Sequence, residues 1–148
     1  MKTNIRWNTG MRFTGNCGGN EITLDAKPPL GQSAGMTPKE LVVVGLSGCT
    51  AMDVIALLKK HKQEVTSFNV EAEVEKSTGG HPEVFSRATL TFKAEGPIDP
   101  DRYLEAVDLS QNRYCGVSAM LSKAFPIEYR VILNGSEIGS GTAFQARV

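Results

Sequence analysis

The sequence predicts a single domain with an α+β fold, on three observations. Strand-like and helix-like segments are grouped along the chain rather than alternating, which argues against a doubly wound parallel sheet. One helical segment is much longer than the others and is apolar on nearly all sides, so it needs burial all round. The length of 148 residues fits one domain, and we predict a single domain over residues 1–148.

Six segments alternate polar and apolar residues, or are rich in β-branched and aromatic residues, and are predicted to be strands. Glycine-rich stretches such as "NCGGN" and "STGGHPE" separate neighbouring strands and predict turns, the second of them within an antiparallel hairpin. The predicted strands are Ile5–Asn8, Met11–Thr14, Asn20–Ala26, Val65–Lys76, Val84–Gly96 and Phe125–Gly135. The residues after the last of these are predicted to be a strand or a tail.

The long helix has a clear start in "TPKE". Thr37 can cap it, Pro38 suits the first helical position, and Glu40 completes a capping box. Basic residues at Lys60 or His61 suit its C-terminal end, where the helix dipole favours cations.

Two shorter helices follow the hairpin. Asp99 and Pro100 predict the start of a polar amphipathic helix, and "VSAMLSKA" after Cys115 predicts a second, short one. Neither offers enough apolar surface to cover the long helix. A second copy of the chain could supply it, so we predict a homodimer packed around this helix.

Composition excludes several classes of function. Sixteen Lys and Arg residues balance sixteen Asp and Glu residues, which argues against nucleic acid as the main partner. The N-terminus lacks the apolar core of a signal peptide, so we predict a cytoplasmic protein. The apolar stretch from Leu41 to Leu58 is interrupted by glycines and by Asp53, so we predict no membrane span. The two histidines, His61 and His81, lack companion ligands at metal spacing, and no metal or cofactor is expected.

Three cysteines at wide spacing form neither a secreted disulfide framework nor a CxxC site. Cys49 lies within the apolar helix, where a thiol is most often a small buried hydrophobe. Cys115 precedes a short helix, whose N-terminus favours a thiolate, with Arg113 nearby in sequence. Cys17 lies in a glycine-rich turn and is interpreted as incidental. From the residues alone, a structural and a reactive role remain open for Cys49 and Cys115.

The stretches "TPKELVVVGLSGCTAMDVIALLKK" and "RYCGVSAMLSKAFPIEYRV" together resemble the OsmC/Ohr family of thiol peroxidases. The resemblance is closest to the OsmC-like branch with a G-C-T-x-x-D-V-x-x-x-L-K-K helix. It implies an OsmC-like fold in which two chains form an intertwined homodimer. One long helix per chain is buried at its centre and is wrapped by antiparallel β-sheets.

The resemblance also implies a chemistry. Cys49 would attack the O–O bond of an organic hydroperoxide, and Cys115 would resolve the resulting sulfenic acid. A dithiol, such as a lipoyl group on a partner protein, would reduce the disulfide. Arg12 would be the cation that stabilises the Cys49 thiolate, with Arg6 as its competitor.

One departure bears on this assignment. The family's peroxidases have a glutamate directly after the proline of the helix start, where it helps to hold the arginine. Here that position is Lys39, and the acid follows as Glu40, which is rotated by about 100° on a helix. Glu40 is therefore a candidate for holding Arg12, but a capping box explains it fully.

Two other functions are compatible with these residues. A non-catalytic binding module on the same fold would hold a small apolar ligand or a lipoyl-bearing partner. A structural dimer would use its cysteines for packing alone. Asp53 lies on the same helix face as Cys49. It could hydrogen-bond a partner chain, or its charge could oppose ionisation of the thiol, and a structural role is favoured.

Overall fold

A computed structural model describes residues 1–144 of the chain. Its elements follow the order expected from the sequence, and they fall into two compact units, Met1–Val44 and Gly45–Val148. The strands are β1 (Thr3–Thr9), β2 (Arg12–Cys17), β3 (Asn20–Leu24), β4 (Ser67–Lys76), β5 (Phe85–Glu95), β6 (Ile127–Leu133) and β7 (Ser136–Thr142). The helices are α1 (Pro38–Lys60), α2 (Pro100–Leu109), a π-helical turn α3 (Ser110–Tyr114) and α4 (Gly116–Leu121).

The first unit is an antiparallel meander of β1, β2 and β3, followed by a loop and the start of α1. Gly15 lies at its centre, where a side chain would press on Ile5, Ile22 and Leu24. Residues throughout β1 are exposed, including Ile5 and Trp7.

The second unit carries a four-stranded sheet in the order β4-β5-β6-β7. β4 and β5 form the expected antiparallel hairpin, and β6 and β7 are also antiparallel. One pair departs from the antiparallel pattern, because β6 runs parallel to β5. Parallel strands need a crossover connection, which here consists of α2, α3 and α4. The core of this unit includes Leu90, Phe92 and Ile127, all with no exposed surface.

The capping box of α1 forms as predicted. The backbone N–H of Thr37 donates to Glu40 Oε2 at 2.8 Å, and that of Glu40 donates to Thr37 Oγ1 at 3.3 Å. The helix ends at Lys60, within one residue of expectation.

Burial of α1 within one chain is confined to a single stripe. One residue every four is buried, namely Leu46, Thr50, Val54 and Leu58. Other apolar residues of the helix remain open, and Met52 is 77% exposed. The helix is long and apolar enough to cross a membrane by length and composition. However, Thr50 and Asp53 make hydrogen bonds to residues of α3, which favours a core helix.

Candidate active site

The structure brings Cys49, on α1, close to Cys115, which precedes α4. The two sulfur atoms and a carboxylate oxygen of Asp53 all lie within 4.8 Å of one another. Both cysteines are free thiols. A disulfide bond is about 2.05 Å long, so the two sulfurs must move closer together before they can form one. Rotation of the two cysteine side chains can supply part of this movement.

The two thiols differ in accessibility. Cys49 is partly exposed, whereas Cys115 has no exposed surface. Burial raises the pKa of the Cys115 thiol, and the neighbouring Cys49 raises it further, although hydrogen bonds from Ser118 oppose these effects. The expectation that a helix N-terminus would favour a Cys115 thiolate is therefore wrong. Desolvation outweighs the single backbone N–H of Ser118, which lies 3.3 Å from Cys115 Sγ.

The π-helical turn explains how α3 faces α1. The N–H of Cys115 donates to the carbonyl oxygen of Ser110, five residues earlier, at 2.9 Å. This wider turn allows two consecutive residues, Ser110 and Gln111, to be fully buried. Such turns recur at functional sites. Here it places two polar side chains against Thr50, and no pattern in the sequence indicated it.

A buried polar network therefore lies beside the thiols. Ser110 Oγ is 2.7 Å from Thr50 Oγ1 and donates to Asp53 Oδ2 at 3.1 Å. Gln111 Nε2 donates to Thr50 Oγ1 at 2.6 Å, and Ser118 Oγ donates to Gln111 Oε1 at 3.3 Å. Sequence reasoning missed Thr50, Ser110, Gln111 and Ser118. The available signal was Thr50, a polar residue four positions before Val54 on the apolar helix.

Two sulfurs and one carboxylate are also a set that could hold a metal ion. Thiolates select soft or borderline cations, and three protein ligands leave one tetrahedral position open. None of these three residues was predicted from the sequence to be a metal ligand. The spacing places Asp53 beside Cys49, because residues four apart share a helix face, but it does not place Asp53 beside Cys115.

Arg12, the candidate cation, belongs to the first unit. Its Nη2 donates to Gln32 Oε1 at 3.4 Å, and its buried Nε has no hydrogen-bond partner among residues 1–144. Arg12 also contributes to holding the pKa of Asp25 below its ordinary value. A cavity of about 230 Å³ adjoins Arg12, Asp25 and Gln32. Arg6, the other candidate for the cation that stabilises Cys49, lies on the exposed strand β1.

Asp25 ties the loop after β3 into place. It is 4% exposed, and its carboxylate accepts N–H groups of Ala26, Gln32 and Ala34 at 2.8, 3.1 and 3.0 Å. The pKa of the Asp25 carboxyl is lowered, mainly by the hydrogen bond from the Ala34 N–H, whose effect is larger than the opposing effect of burial. The loop that contains Gln32, the partner of Arg12, thus depends on an ionised Asp25.

We expect Asp25→Asn to loosen this loop in a pH-dependent way. A carboxyl whose pKa is lowered by folding adds stability above its unfolded value, near pH 4, and loses it as pH falls through the folded value. Amide exchange should therefore show wild-type protection of Gln32 and Ala34 falling toward acid pH. In Asp25→Asn, protection should be weaker at neutral pH and should change less with pH. Equal protection of these amides in both proteins at neutral pH would contradict the account, and Asp101→Asn, an exposed carboxylate, is the matched control.

Glu40 has partners of its own within the first unit. Besides the N–H of Thr37, it accepts an ion pair from Lys27 Nζ at 2.9 Å. The bond from Thr37 is the largest cause of a lowered pKa of Glu40, followed by Lys27. These contacts account for Glu40 as a capping residue, and its proposed role toward Arg12 finds no contact among the hydrogen bonds and ion pairs described for residues 1–144.

Comparison with known proteins decides the family. The profile of the OsmC-like protein family matches residues 31–130, more than half of the chain. The chain belongs to the OsmC family. Within it, the chain is similar to Protein YhfA of Escherichia coli (strain K12), with 33% identity over 131 residues that cover 87% of this chain and 95% of YhfA.

Solved structures confirm the α+β OsmC-like fold. An OsmC-like protein from Mycoplasma pneumoniae matches with a TM-score of 0.76 and 19% identity, over 89% of this chain and 95% of the other. An organic hydroperoxide resistance protein from Elizabethkingia anophelis matches with a TM-score of 0.65 and 16% identity, over 89% of this chain and 94% of the other. At these identities the structural likeness concerns the fold of this OsmC-family chain.

Proposed function

We propose that this OsmC-family protein is a thiol-dependent peroxidase that reduces organic hydroperoxides through Cys49 and Cys115. The observation that carries the proposal is the meeting of the two free thiols, with sulfurs within 4.8 Å across 66 positions of sequence. The name of the Elizabethkingia relative supports hydroperoxides as the substrate class.

The difference in burial supports the proposed roles of the two cysteines. Cys49 is partly exposed, so a hydroperoxide can reach it, whereas Cys115 is sealed from solvent and stays a protonated thiol. The Cys49 thiolate attacks the O–O bond, an S–O bond forms, and the substrate leaves as an alcohol after protonation. Cys115 then attacks the sulfenic sulfur, giving a disulfide and water. A dithiol, such as a lipoyl group on a partner protein, returns both thiols by exchange.

Three further assignments belong to the same proposal. Arg12 stabilises the Cys49 thiolate, supported by its buried Nε, which has no partner within residues 1–144. The protein acts as a homodimer, because exposed apolar side chains of α1, such as Met52, would be covered by a second chain. We also place it in the cytoplasm. Glu40 serves mainly as the capping residue of α1.

Turnover with two peroxides tests the substrate class. Burying a large apolar group stabilises a complex by about 1.5–3 kcal/mol, which corresponds to roughly ten- to hundredfold. With a dithiol supplied, kcat/KM for cumene hydroperoxide should exceed that for hydrogen peroxide by about this factor. Equal values would remove the preference for organic hydroperoxides, and absence of turnover with both would remove the peroxidase itself.

A second candidate is a non-catalytic binding module for a small apolar ligand. The observation that favours it is an apolar cavity of about 390 Å³ in the first unit, whose lining includes Ile5, Ile22, Leu24 and Leu41. The ion pair between Glu40 and Lys27 also favours the binding module, because the arginine clamp would then lack the acid that helps to hold it. The rate of Cys49 alkylation at neutral pH separates the two: a rate typical of an unactivated thiol supports the binding module.

A further inference from the structure

The polar network beside the thiols has a fixed direction of hydrogen bonding. The single proton of Ser110 is committed to Asp53 Oδ2. Thr50 Oγ1 already accepts from Gln111 Nε2, so in the 2.7 Å contact between Thr50 and Ser110 it is Thr50 that donates. Every bond in this part of the network therefore points toward the Asp53 carboxylate, which accepts from Ser110 at the end of the chain of hydrogen bonds.

The other end of the network reaches the resolving thiol. Ser118 donates its hydroxyl to Gln111 Oε1 at 3.3 Å, and its backbone N–H donates to Cys115 Sγ at 3.3 Å. The members that join the two ends, Thr50, Ser110, Gln111 and Ser118, are neutral and completely buried. Among the groups that these contacts assemble, Asp53 is the carboxylate, and the other titratable groups are Cys49 and Cys115 themselves.

Asp53 is placed where it can transfer a proton between the two cysteines. Its carboxylate oxygen lies within 4.8 Å of both sulfurs, close enough for side-chain rotation to bring it to hydrogen-bond distance of either cysteine. Oxidation of Cys49 adds the hydroxyl of the sulfenic acid beside this carboxylate. Cys115, whose burial keeps it protonated, has to lose a proton before it can attack, while the sulfenic hydroxyl has to gain one before it can leave as water.

We propose that Asp53 accepts the proton of the Cys115 thiol in the resolving step and delivers it to the departing hydroxyl of the Cys49 sulfenic acid. The step balances: the S–S bond forms, the S–O bond breaks, the hydroxyl leaves as water, and Asp53 ends as the carboxylate it was. The network from Gln111 through Thr50 and Ser110 holds the carboxylate in place for this transfer. The assignment rests on the proposed function for the sulfenic acid, but proton acceptance from Cys115 is testable without peroxide.

The experiment uses thiol exchange in a Cys17→Ser background, with a chelator present to exclude metal ions. One equivalent of an aromatic disulfide, 5,5′-dithiobis(2-nitrobenzoate), converts Cys49 to a mixed disulfide. Attack by Cys115 then releases a second thionitrobenzoate, whose absorbance gives the rate. Because this leaving group departs without a proton, the rate depends on the loss of the proton from Cys115 and not on protonation of the leaving group.

We expect Asp53→Asn to slow the second release by about 10²-fold, the lower end of what general acid–base catalysis contributes. Asp53→Glu should recover part of the rate, and Asp101→Asn, which changes an exposed carboxylate in the same way, should match wild type. Equal rates for Asp53→Asn and wild type would overturn the proposal. A loss of rate in Asp53→Asn that Asp53→Glu does not relieve would also overturn it, since that result marks a structural role.

The pH dependence gives a readout that does not require the variant to fold. With Asp53 as the acceptor, the wild-type rate should change little between about pH 6 and 8, whereas without an internal base it should rise about tenfold per pH unit. A tenfold rise per unit in wild type would contradict the role of Asp53.

A parallel reaction with cumene hydroperoxide separates this proposal from the peroxidase function. Dimedone traps sulfenic acid, so Asp53→Asn should accumulate trapped Cys49 where wild type forms the disulfide. If wild-type Cys49 is not oxidised at all, the peroxidase function fails, while the exchange rates still decide whether Asp53 takes the proton.

Discussion

Cys49→Ser protein is expected to lose hydroperoxide reduction by about 10³-fold or more, because removal of a catalytic nucleophile eliminates the covalent route. A serine hydroxyl is isosteric, but it cannot be oxidised by a peroxide as a thiolate is. Cys115 cannot replace Cys49, since it has no exposed surface and its pKa is raised by burial. The measurement is consumption of cumene hydroperoxide with a dithiol in excess.

The matched control for this substitution is Cys17→Ser. Cys17 is a free and partly exposed thiol at the end of β2, in the first unit, so it should be equally open to non-specific oxidation. We expect Cys17→Ser to keep wild-type turnover. Wild-type turnover in Cys49→Ser would contradict the proposed nucleophile, and a loss of turnover in Cys17→Ser would show that the wrong cysteine had been assigned.

Cys115→Ser protein is expected to fail in a different way, after the first turnover. Cys49 can still attack the substrate, so one equivalent of alcohol should form at close to the wild-type rate. The sulfenic acid then has no neighbouring thiol and is exposed to further peroxide, which carries it to the irreversible sulfinic and sulfonic acids. Multiple turnovers should therefore stop, and mass spectrometry should find the added oxygens on Cys49.

The same substitution also separates a resolving role from a structural one. The introduced serine hydroxyl would replace Cys115 Sγ, which lies 3.3 Å from the Ser118 N–H, as the acceptor of that bond, so the start of α4 should remain folded. Continued turnover of Cys115→Ser without oxidation of Cys49 would mean that the external dithiol reduces the sulfenic acid directly. In that case Cys115 would not be needed for resolution.

The elements of this fold were largely predictable from local sequence. The capping box at Thr37 and Glu40 and the N-cap at Asp99 are local features, and the structure confirms both. The hairpin of β4 and β5 followed from alternation with a glycine-rich turn. These predictions succeeded because their physical causes act over a few residues.

Features that depend on distant residues were not predictable. The parallel pairing of β5 with β6 joins residues about 40 positions apart, such as Ala88 and Ile127, and alternation alone does not give strand order. The raised pKa of Cys115 depends on complete burial, which the short helix after it did not reveal. The contact of Asp53 with Ser110 spans 57 positions and depends on the π-helical turn.

The two cysteines of the site were predictable because each lies in a recognisable sequence motif. Cys49 and Cys115 were identified through a family resemblance, and the structure brings their sulfurs together. The proposed roles of Arg12 and Glu40 depend instead on which side chains they contact in the folded protein. Arg12 contacts Gln32, and Glu40 contacts Lys27, and side-chain partners of this kind are set by loop geometry rather than by a motif.

The most direct test of the two-cysteine account is mass spectrometry of fully reduced protein treated with one equivalent of cumene hydroperoxide. We expect rapid loss of two hydrogens and, after digestion, a peptide pair joined by a Cys49–Cys115 disulfide. Two unmodified thiols at these positions, or a bridge that involves Cys17 instead, would contradict it.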